Sequence, residues 1–435
     1  MPTSMSSPHF SFSKRANEAV WASLAVGIAF VVIWHTLNLS SLRFDVPLTY
    51  KGDALALMYT YDIAQGFSGA PASTGMPFGT NLYDAPNSDG FNLLAVRAFE
   101  LATGQFGTAF NLYYLATILI VGLCAYAVGR RLGLMPVWAC ALSILFNVLP
   151  FHWMRIGGIF YDNYVSAAVT AWIALDFIFD DGSPATRTRS KWPLVVVAAI
   201  FCGTCGIYYA FFSCLFIGAA ALLASLYSSN RKSMLRGFLV VGLIAITSVA
   251  QWSPSLLYLW QRGINTQVAH RQPFESEIYG LKLVQMLLPI EDHRIGAFAD
   301  LTRSYLLQIP QVNENKTSAL GMIGATGFLF LLAVPLLGRI RHRLPENVKR
   351  AASLAWIGFL YATIGGLGSL FAWLVSPQLR GLSRIVIFLA FFALFAFIAV
   401  AQDLASKARW RYLPSLLAAS IVIVGVFDMT PSLYA

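Results

Sequence analysis

Long apolar runs, separated by short polar segments, make up most of this chain. About eleven of these runs are long enough to cross a lipid bilayer as helices. They occupy residues 20–37, 109–129, 135–151, 161–179, 192–209, 210–227, 237–260, 318–337, 351–375, 385–402 and 413–427. Residues 192–227 are too many for one helix, and the Gly206-Ile207-Tyr208-Tyr209 segment marks the predicted break. The pattern predicts an all-α, polytopic integral membrane protein.

Two long polar segments set the predicted organisation of the chain. The predicted parts are a cytoplasmic N-terminus (1–19), a first transmembrane helix (20–37), an extracytoplasmic loop (38–108), helices two to seven (109–260), a second extracytoplasmic loop (261–317), helices eight to eleven (318–428) and a short outer C-terminus (429–435). The first apolar run lacks a small-residue cleavage site, so it is expected to remain as an anchor.

Composition agrees with the membrane class. The chain has 435 residues, of which 57% are hydrophobic and only 11% charged, and its mean hydropathy is +0.64. Soluble proteins of this length do not have such a composition. The five cysteines all fall in apolar runs. Cys202 and Cys205 have CxxC spacing, but no second pair and no histidine lie nearby, so we interpret them as small helix-packing residues.

The distribution of charge predicts the orientation in the membrane. With the N-terminus inside, the inner segments hold 18 of the 30 Lys and Arg residues but only six of the 20 Asp and Glu residues. The inner face then carries a net charge of +12 and the outer face −2, which places both long loops outside the cytoplasm. The basic surplus therefore reflects topology and lipid headgroups, and we predict no nucleic-acid partner.

The first loop concentrates polar chemistry in residues 50–92. It contains Asp53, Asp62, Asn81, Tyr83, Asp84, Asn87, Asp89 and Asn92. Turn formation explains most of these side chains, given the prolines and glycines among them. Asp53 differs because it opens an apolar run, 54–64, that fits a helix on the membrane surface. It either caps that helix or serves in chemistry, and the sequence favours neither.

A second candidate group lies between the third and fourth predicted helices. His152 and Arg155 are one helical turn apart and can face one ligand. Arginine suits phosphate oxygens, and histidine can act as a second donor. Asp162 follows in the same segment. The alternative is that Trp153, Arg155 and Tyr161 anchor the helices at the membrane interface.

The second loop offers weaker signals. Glu291, Asp292 and His293 are consecutive, with Arg294 next. Carboxylates and an imidazole can bind a divalent cation, but adjacent side chains point in different directions. Glu314 lies just before a predicted span, where it either caps that helix or binds a sugar hydroxyl.

Two arginines stand out in the short outer segment 376–384. Arg380 and Arg384, with Ser383 between them, lie where the distribution of positive charge disfavours arginine. Either an anionic partner or lipid headgroups would explain them.

Familiar catalytic motifs are missing from the sequence. There is no Walker loop, no GxGxxG after a strand, no GxSxG and no HExxH. Energy from ATP within the chain is therefore not indicated. Neither internal repeats nor charged mid-membrane positions are present, which weakens a transporter interpretation.

The arrangement resembles a known superfamily. One span, a large outer loop with an acidic residue near its start, and about ten further spans are similar to the GT-C membrane glycosyltransferases. The segments GDAL, PFGTNLYDAPNSDGFN, LPFHWMRIGG, GIYYAFF, LPIEDHR, NENKTSALG and FDMTP resemble a bacterial group of predicted glycosyltransferase-like membrane proteins. Members of that group continue into an outer soluble domain, so the resemblance implies that this chain is a shorter version.

The resemblance implies a reaction and a set of residues. Asp53 would be the general base of an inverting transfer from a polyprenyl-phosphate sugar to a glycan, lipid or protein acceptor outside the bacterial inner membrane. Arg155, His152 or Arg384 would hold the charge of the departing lipid phosphate. Candidate substrate-binding residues are Asn81, Tyr83, Asp84, Asp89, His152, Arg155, Asp162, His293, Arg294, Glu314 and Arg384. A divalent cation is the one cofactor considered. The competing hypotheses are a flippase for lipid-linked saccharides and a non-catalytic assembly partner.

Overall fold

The computed structural model describes residues 8–49, 77, 81, 83, 89–156, 163–180, 191–228, 231–266 and 270–431. Over these residues the secondary structure is helical, apart from a β-bridge between Leu281 and Thr363. The α-helices are α1 (Pro8–Thr36), α2 (Gly90–Thr103), α3 (Phe106–Arg131), α4 (Pro136–Asn147), α5 (Pro150–Met154), α6 (Asn163–Trp172), α7 (Trp192–Thr204), α8 (Ile207–Ser228), α9 (Arg231–Arg262), α10 (Glu275–Ile278), α11 (Leu283–Leu287), α12 (Gly296–Gln308), α13 (Gly321–Ala333), α14 (Glu346–Ala362), α15 (Leu367–Leu374), α16 (Val386–Ser406) and α17 (Leu413–Met429).

Length and composition mark this as an all-α protein of the membrane type. Within the described ranges, six helices are long and apolar enough to span a membrane: Ala16–Thr36, Phe106–Arg131, Pro136–Met154, Ile207–Leu226, Arg231–Arg262 and Leu382–Ser406. Shorter apolar helices cover Tyr164–Phe177, Trp192–Thr204, Gly321–Leu336 and Leu413–Met429. Several helices have a proline in their first turn, such as Pro136 and Pro193. Proline is tolerated there because the first N–H groups of a helix have no intrahelical partner.

The phenylalanine-rich helix α16 lies at the centre of the bundle. It packs against α4, α6, α13, α14 and α17. Of the apolar window that includes α16, 78% is buried inside the protein, against 28% for α9. A helix that is apolar all round is expected in an interior position. Helix α9 instead packs against α7 and α8 and leaves an apolar surface exposed.

Contacts between helix ends divide the bundle into two opposite ends. At the first, which we call the loop end, the Asn111 side chain accepts from the Leu48 N–H at 2.8 Å and donates to the carbonyl oxygen of Val46. At the second, the basic end, Arg130 pairs with Glu18 at 2.6 Å. Both long loops have their described residues at the loop end.

Other contacts join further helices at the basic end. Arg350 donates to the carbonyl oxygen of Leu175 at 2.8 Å. Lys191 contacts Asp176 at 3.0 Å and Asp180 at 3.1 Å. These cations therefore bind helix ends and carboxylates of the protein itself.

The structure confirms one predicted helix break and reveals another. The run 192–227 divides into α7 and α8, with Tyr208 and Tyr209 in the first turn of α8. The predicted single helix at 351–375 is wrong, because α14 ends at Ala362 and α15 begins at Leu367. Main-chain hydrogen bonds with Leu281 hold Thr363 in extended form: the Leu281 N–H donates to the Ala362 carbonyl oxygen at 2.8 Å, and the Ile364 N–H donates to the Leu281 carbonyl oxygen at 3.3 Å. A strand-like pairing from the second loop thus replaces the helical hydrogen bonds.

Candidate functional site

Three charged side chains from distant parts of the chain meet at the loop end. Glu314 accepts from Arg384 through both carboxylate oxygens, at 3.0 Å from Nε and 2.9 Å from Nη2. It also accepts from Nη2 of Arg155 at 2.8 Å. All three side chains are mostly buried, with 12–19% of each exposed. We call Arg155, Glu314 and Arg384 the arginine cluster.

Local sequence features place these three side chains. Arg155 ends the one-turn helix α5, which Pro150 begins. Glu314 opens a 3₁₀ turn whose N-cap residue, Asn313, accepts from the Asn315 N–H at 3.0 Å. Arg384 lies on a second 3₁₀ turn, directly before α16. The three charges therefore lie on short turns at or beside helix ends.

A glycine and two aromatic rings enclose the arginine cluster. A Cβ atom at Gly381 would lie 3.1 Å from Nε of Arg384 and 3.3 Å from a Glu314 oxygen, so a side chain there would crowd the ion pair. The Arg384 guanidinium lies 4.7 Å from the Tyr208 ring centre, and that of Arg155 lies 4.9 Å from the Phe151 ring. Aromatic faces attract guanidinium groups and exclude water from them.

Electrostatics favour an anion at this place. Burial raises the pKa of Glu314, but the guanidinium groups of Arg384 and Arg155 outweigh burial and lower it from 4.5 to about 2. One carboxylate therefore faces two cations. The Nη1 atom of Arg155 is buried and has no hydrogen-bond partner among the described residues. A buried cationic group with a spare donor is suited to an anionic oxygen.

Asp89 adds a second carboxyl to the same region. It lies at the start of α2 and is 8% exposed. The charge of Arg384 acts on it, and the Tyr209 hydroxyl lies within electrostatic range of Asp89 and of all three members of the arginine cluster. The predicted candidates Arg155, Glu314 and Arg384 are thus in direct contact, and Asp89 lies within range of the Arg384 charge.

His152 does not share a ligand face with Arg155. Its Nδ1 contacts the carbonyl oxygen of Asn147 at 2.8 Å, and its Nε2 contacts the Thr117 hydroxyl at 3.3 Å. Its ring is buried and stacks on Tyr164 at 4.9 Å between centres. Both ring nitrogens are therefore occupied within the bundle. The proposed interfacial role of Trp153 is wrong as well, because that ring is 1% exposed.

Asn81 and Tyr83 lie against α9. Asn81 donates to the Tyr258 hydroxyl at 2.8 Å, and the Tyr83 ring stacks on Tyr258 at 4.8 Å between centres. Asn265, just after α9, donates to the Tyr83 carbonyl oxygen at 2.5 Å. These contacts fix the first loop on α9.

The second-loop residues 291–294 diverge. Glu291 is 3.5 Å from Lys316, and Asp292 is 3.0 Å from Arg303. His293 Nε2 lies 3.3 Å from Asp428. In the described part of the chain, no group of three or more His, Cys, Asp or Glu side chains is placed to hold a metal ion.

His293 and Arg294 instead fasten the second loop to the end of α17. Arg294 donates from Nε to the carbonyl oxygen of Thr430 at 2.9 Å and lies over the Phe427 ring. Asp428, which faces His293, also accepts from the Met322 N–H at 2.5 Å. Asp428, and not Glu314, is therefore the carboxylate that caps the start of α13. Of the two alternatives for Glu314, the capping role is wrong, because Glu314 pairs with two arginines; binding of a sugar hydroxyl stays a prediction.

Sequence reasoning missed the internal pairing of the outer arginines. Arg380 pairs with Glu275 and lies 4.6 Å from the Tyr279 ring centre, while Arg384 pairs with Glu314. The signal in the sequence was that Arg380 and Arg384 lie in a predicted outer segment, where the distribution of positive charge disfavours arginine. It indicated an unusual environment without identifying the carboxylates that provide it.

The remaining candidates, Asp53, Asp84 and Asp162, lie outside the described residues, as do Asp62, Asn87 and the predicted surface helix at 54–64. Comparison with protein-family models and with curated proteins finds no match to this chain. The functional interpretation therefore depends on the geometry of the loop end.

Proposed function

We propose that this protein is a membrane glycosyltransferase. It transfers a sugar from a polyprenyl-phosphate donor to a glycan, lipid or protein acceptor on the outer face of the bacterial inner membrane. The observation that carries the proposal is the buried arginine cluster, in which two guanidinium groups share one carboxylate and Nη1 of Arg155 remains as a spare donor. Such a site is suited to the phosphate of a lipid-linked sugar.

The charge balance supports a phosphate ligand. Arg155 and Arg384 carry two positive charges, and Glu314, with its low pKa, carries one negative charge at neutral pH. Asp89 has a pKa of about 7, so the site keeps a net positive charge whenever Asp89 is protonated. A buried net positive charge is costly unless an anion joins it. Planar guanidinium groups match phosphate oxygens with paired hydrogen bonds. When the sugar leaves the phosphate, the added charge on the phosphate oxygen would be stabilised by the same donors.

The positions of helix ends support the proposed topology. Six helices of the described residues are long and apolar enough to span a membrane. The topology proposed here adds shorter helices to make eleven crossings: α1, α3, α4 with α5, α6, α7, α8, α9, α13, α14, α16 and α17. In this arrangement the loop end faces outward and the basic end faces the cytoplasm, as the positive-charge trend requires. The arginine cluster then lies where an outer-leaflet lipid can present its headgroup.

The resemblance implies Asp53 as the base, a residue that lies outside the described part of the chain. A single carboxylate can accept the proton of the acceptor hydroxyl in one inverting displacement. If Asp53 is the base, Asp53→Asn lowers the turnover by about 10²–10⁴-fold and leaves donor binding unchanged. Full turnover by this variant would remove Asp53 from the mechanism while leaving the phosphate site intact.

The test of the function is a reaction with defined donors. Purified protein in liposomes is mixed with a panel of radiolabelled polyprenyl-phosphate sugars and an envelope extract as acceptor. Release of polyprenyl phosphate together with labelled product is expected. Arg384→Ala should abolish it, whereas Arg303→Ala, which changes an arginine that is 49% exposed, should not.

Two results would refute the transferase proposal. Movement of the intact donor between leaflets without release of lipid phosphate would identify a flippase. Neither movement nor release with any donor would favour a non-catalytic assembly partner.

A further inference from the structure

Asp89 is a buried carboxyl that its own helix does not use. It occupies the N-cap position of α2, yet it makes no capping hydrogen bond through its side chain. The hydrogen bond that its carboxyl accepts from a described residue comes from Asn92 Nδ2 and is long, at 3.3 Å. A buried carboxylate usually accepts several hydrogen bonds, because leaving its oxygens unpaired is costly. The turn-forming role predicted for Asp89 therefore does not explain its environment.

The neighbouring residues hold Asp89 in place through their own contacts. The Gly90 N–H donates to Gln251 at 2.8 Å, and the Gln251 amide donates to the Gly203 carbonyl oxygen at 2.7 Å. Asn92 accepts from the Tyr113 hydroxyl at 3.1 Å. Helices α3, α7 and α9 thus fix the start of α2 without hydrogen-bonding the second carboxylate oxygen.

The backbone next to Asp89 leaves it room. A Cβ atom at Gly206 would lie 2.7 Å from Oδ1 of Asp89, and Gly206 has a φ of +93°. Only glycine fits both the conformation and the space. The Asp89 carboxyl therefore lies against the break between α7 and α8. Tyr208 and Tyr209, which lie near the arginine cluster, follow this break in the first turn of α8.

Electrostatics hold Asp89 near the point of ionisation. Burial raises the pKa of Asp89, and the Arg384 charge and the Asn92 hydrogen bond lower it by a smaller amount. The net result is a pKa of about 7. Polar groups on the elements packed against it are Arg384 before α16, Tyr209 on α8, Tyr113 on α3, Gln251 on α9 and Asn92 on α2. A base is most effective when its pKa is close to the working pH. The fully ionised Glu314, whose pKa is about 2, is too weak a base for the same role.

We infer that Asp89, rather than Asp53, is the carboxylate that takes the proton of the acceptor hydroxyl. This inference rests on the proposed function. As the acceptor oxygen bonds to the anomeric carbon, its proton passes to Asp89. The bond between that carbon and the phosphate oxygen breaks, and its electron pair remains on the phosphate, beside Arg155 and Arg384. Asp89 then releases the proton to water, and the carboxylate is restored.

The experiment compares pH–rate profiles of the wild type, Asp89→Asn and Asp53→Asn, with Asp300→Asn as control. The Asp300 side chain lies on α12 and is 76% exposed. For the wild type, kcat should rise with pH through about 7. Asp89→Asn should lower kcat by about 10²–10⁴-fold, remove that rise and leave the donor KM unchanged. Asp89→Glu, which keeps a carboxyl, should retain a pH-dependent rate at a reduced level.

Three outcomes would overturn the inference. If the wild type is active and Asp89→Asn keeps both the rate and its pH dependence, Asp89 is not the base. If Asp53→Asn alone removes the rise while Asp89→Asn keeps it, the base is Asp53. If the wild type transfers no sugar from any donor, the proposed function fails and this inference fails with it.

Discussion

Glu314→Gln tests how strongly the arginine cluster is coupled. The substitution keeps the size of the side chain but removes the charge that three hydrogen bonds, of 2.8–3.0 Å, share. It leaves two largely buried guanidinium groups without a counter-charge. Removing one partner of a buried ion pair costs about 3–5 kcal/mol. The lowering of the Glu314 pKa from 4.5 to about 2 corresponds independently to about 3 kcal/mol of stability at neutral pH.

The stabilisation that Glu314 provides should depend on pH. Because the folded-state pKa of Glu314 is lowered, its contribution is complete above about pH 4.5 and declines as the pH falls toward 2. The free energy of unfolding is measured by SDS titration in mixed micelles at pH 6.5 and 3.5. Glu314→Gln should unfold about 3 kcal/mol more easily at pH 6.5. At pH 3.5 the difference in the free energy of unfolding between Glu314→Gln and the wild type should be about 1 kcal/mol smaller than at pH 6.5.

Asp292→Asn is the matched control for that measurement. It also removes a carboxylate from an arginine at the loop end, at 3.0 Å, but there both side chains are about half exposed. Exposed ion pairs contribute about 0–1 kcal/mol. Equal effects of Glu314→Gln and Asp292→Asn, both below 1 kcal/mol, would refute the idea that the cluster is a buried, coupled unit.

Three further predictions concern donor binding, loop attachment and topology. Arg155→Lys should weaken donor binding nearly as much as Arg155→Ala in a lipid-phosphate binding assay, because the planar fork is lost; unchanged binding in both would exclude a phosphate contact. Asp428→Ala should lower the free energy of unfolding by about 1–3 kcal/mol, since it leaves the Met322 N–H without its acceptor and removes the carboxylate that lies 3.3 Å from His293 Nε2; a change below 0.5 kcal/mol would contradict this. In a cysteine-free background, cysteines at Ser88 and Ser183 should label from opposite sides of the membrane, with Ser88 outside; labelling of Ser88 only from the cytoplasm would invert the topology.

The sequence by itself determined the class of the protein and the positions of many helices. Apolar run length and proline or glycine boundaries are local properties, so the division of 192–227 into two helices was readable at Gly206. The sequence also pointed to Arg155, Glu314 and Arg384 in three separate polar segments, and these side chains meet at the loop end. The Gly365-Gly366 pair was an equally local signal for the break after α14, but the apolar residues around it favoured one continuous span.

Only the tertiary structure decided which charges meet. Glu314 is 159 residues from Arg155 and 70 from Arg384 in sequence, and no periodic pattern encodes such a pairing. The two buried carboxyls also differ in pKa because their partners differ. Two guanidinium groups keep Glu314 ionised, whereas Asp89, which accepts one long hydrogen bond from the described residues, has a pKa of about 7. The side-chain types are fixed by the chain, but desolvation and the distance between charges depend on how helix ends pack together.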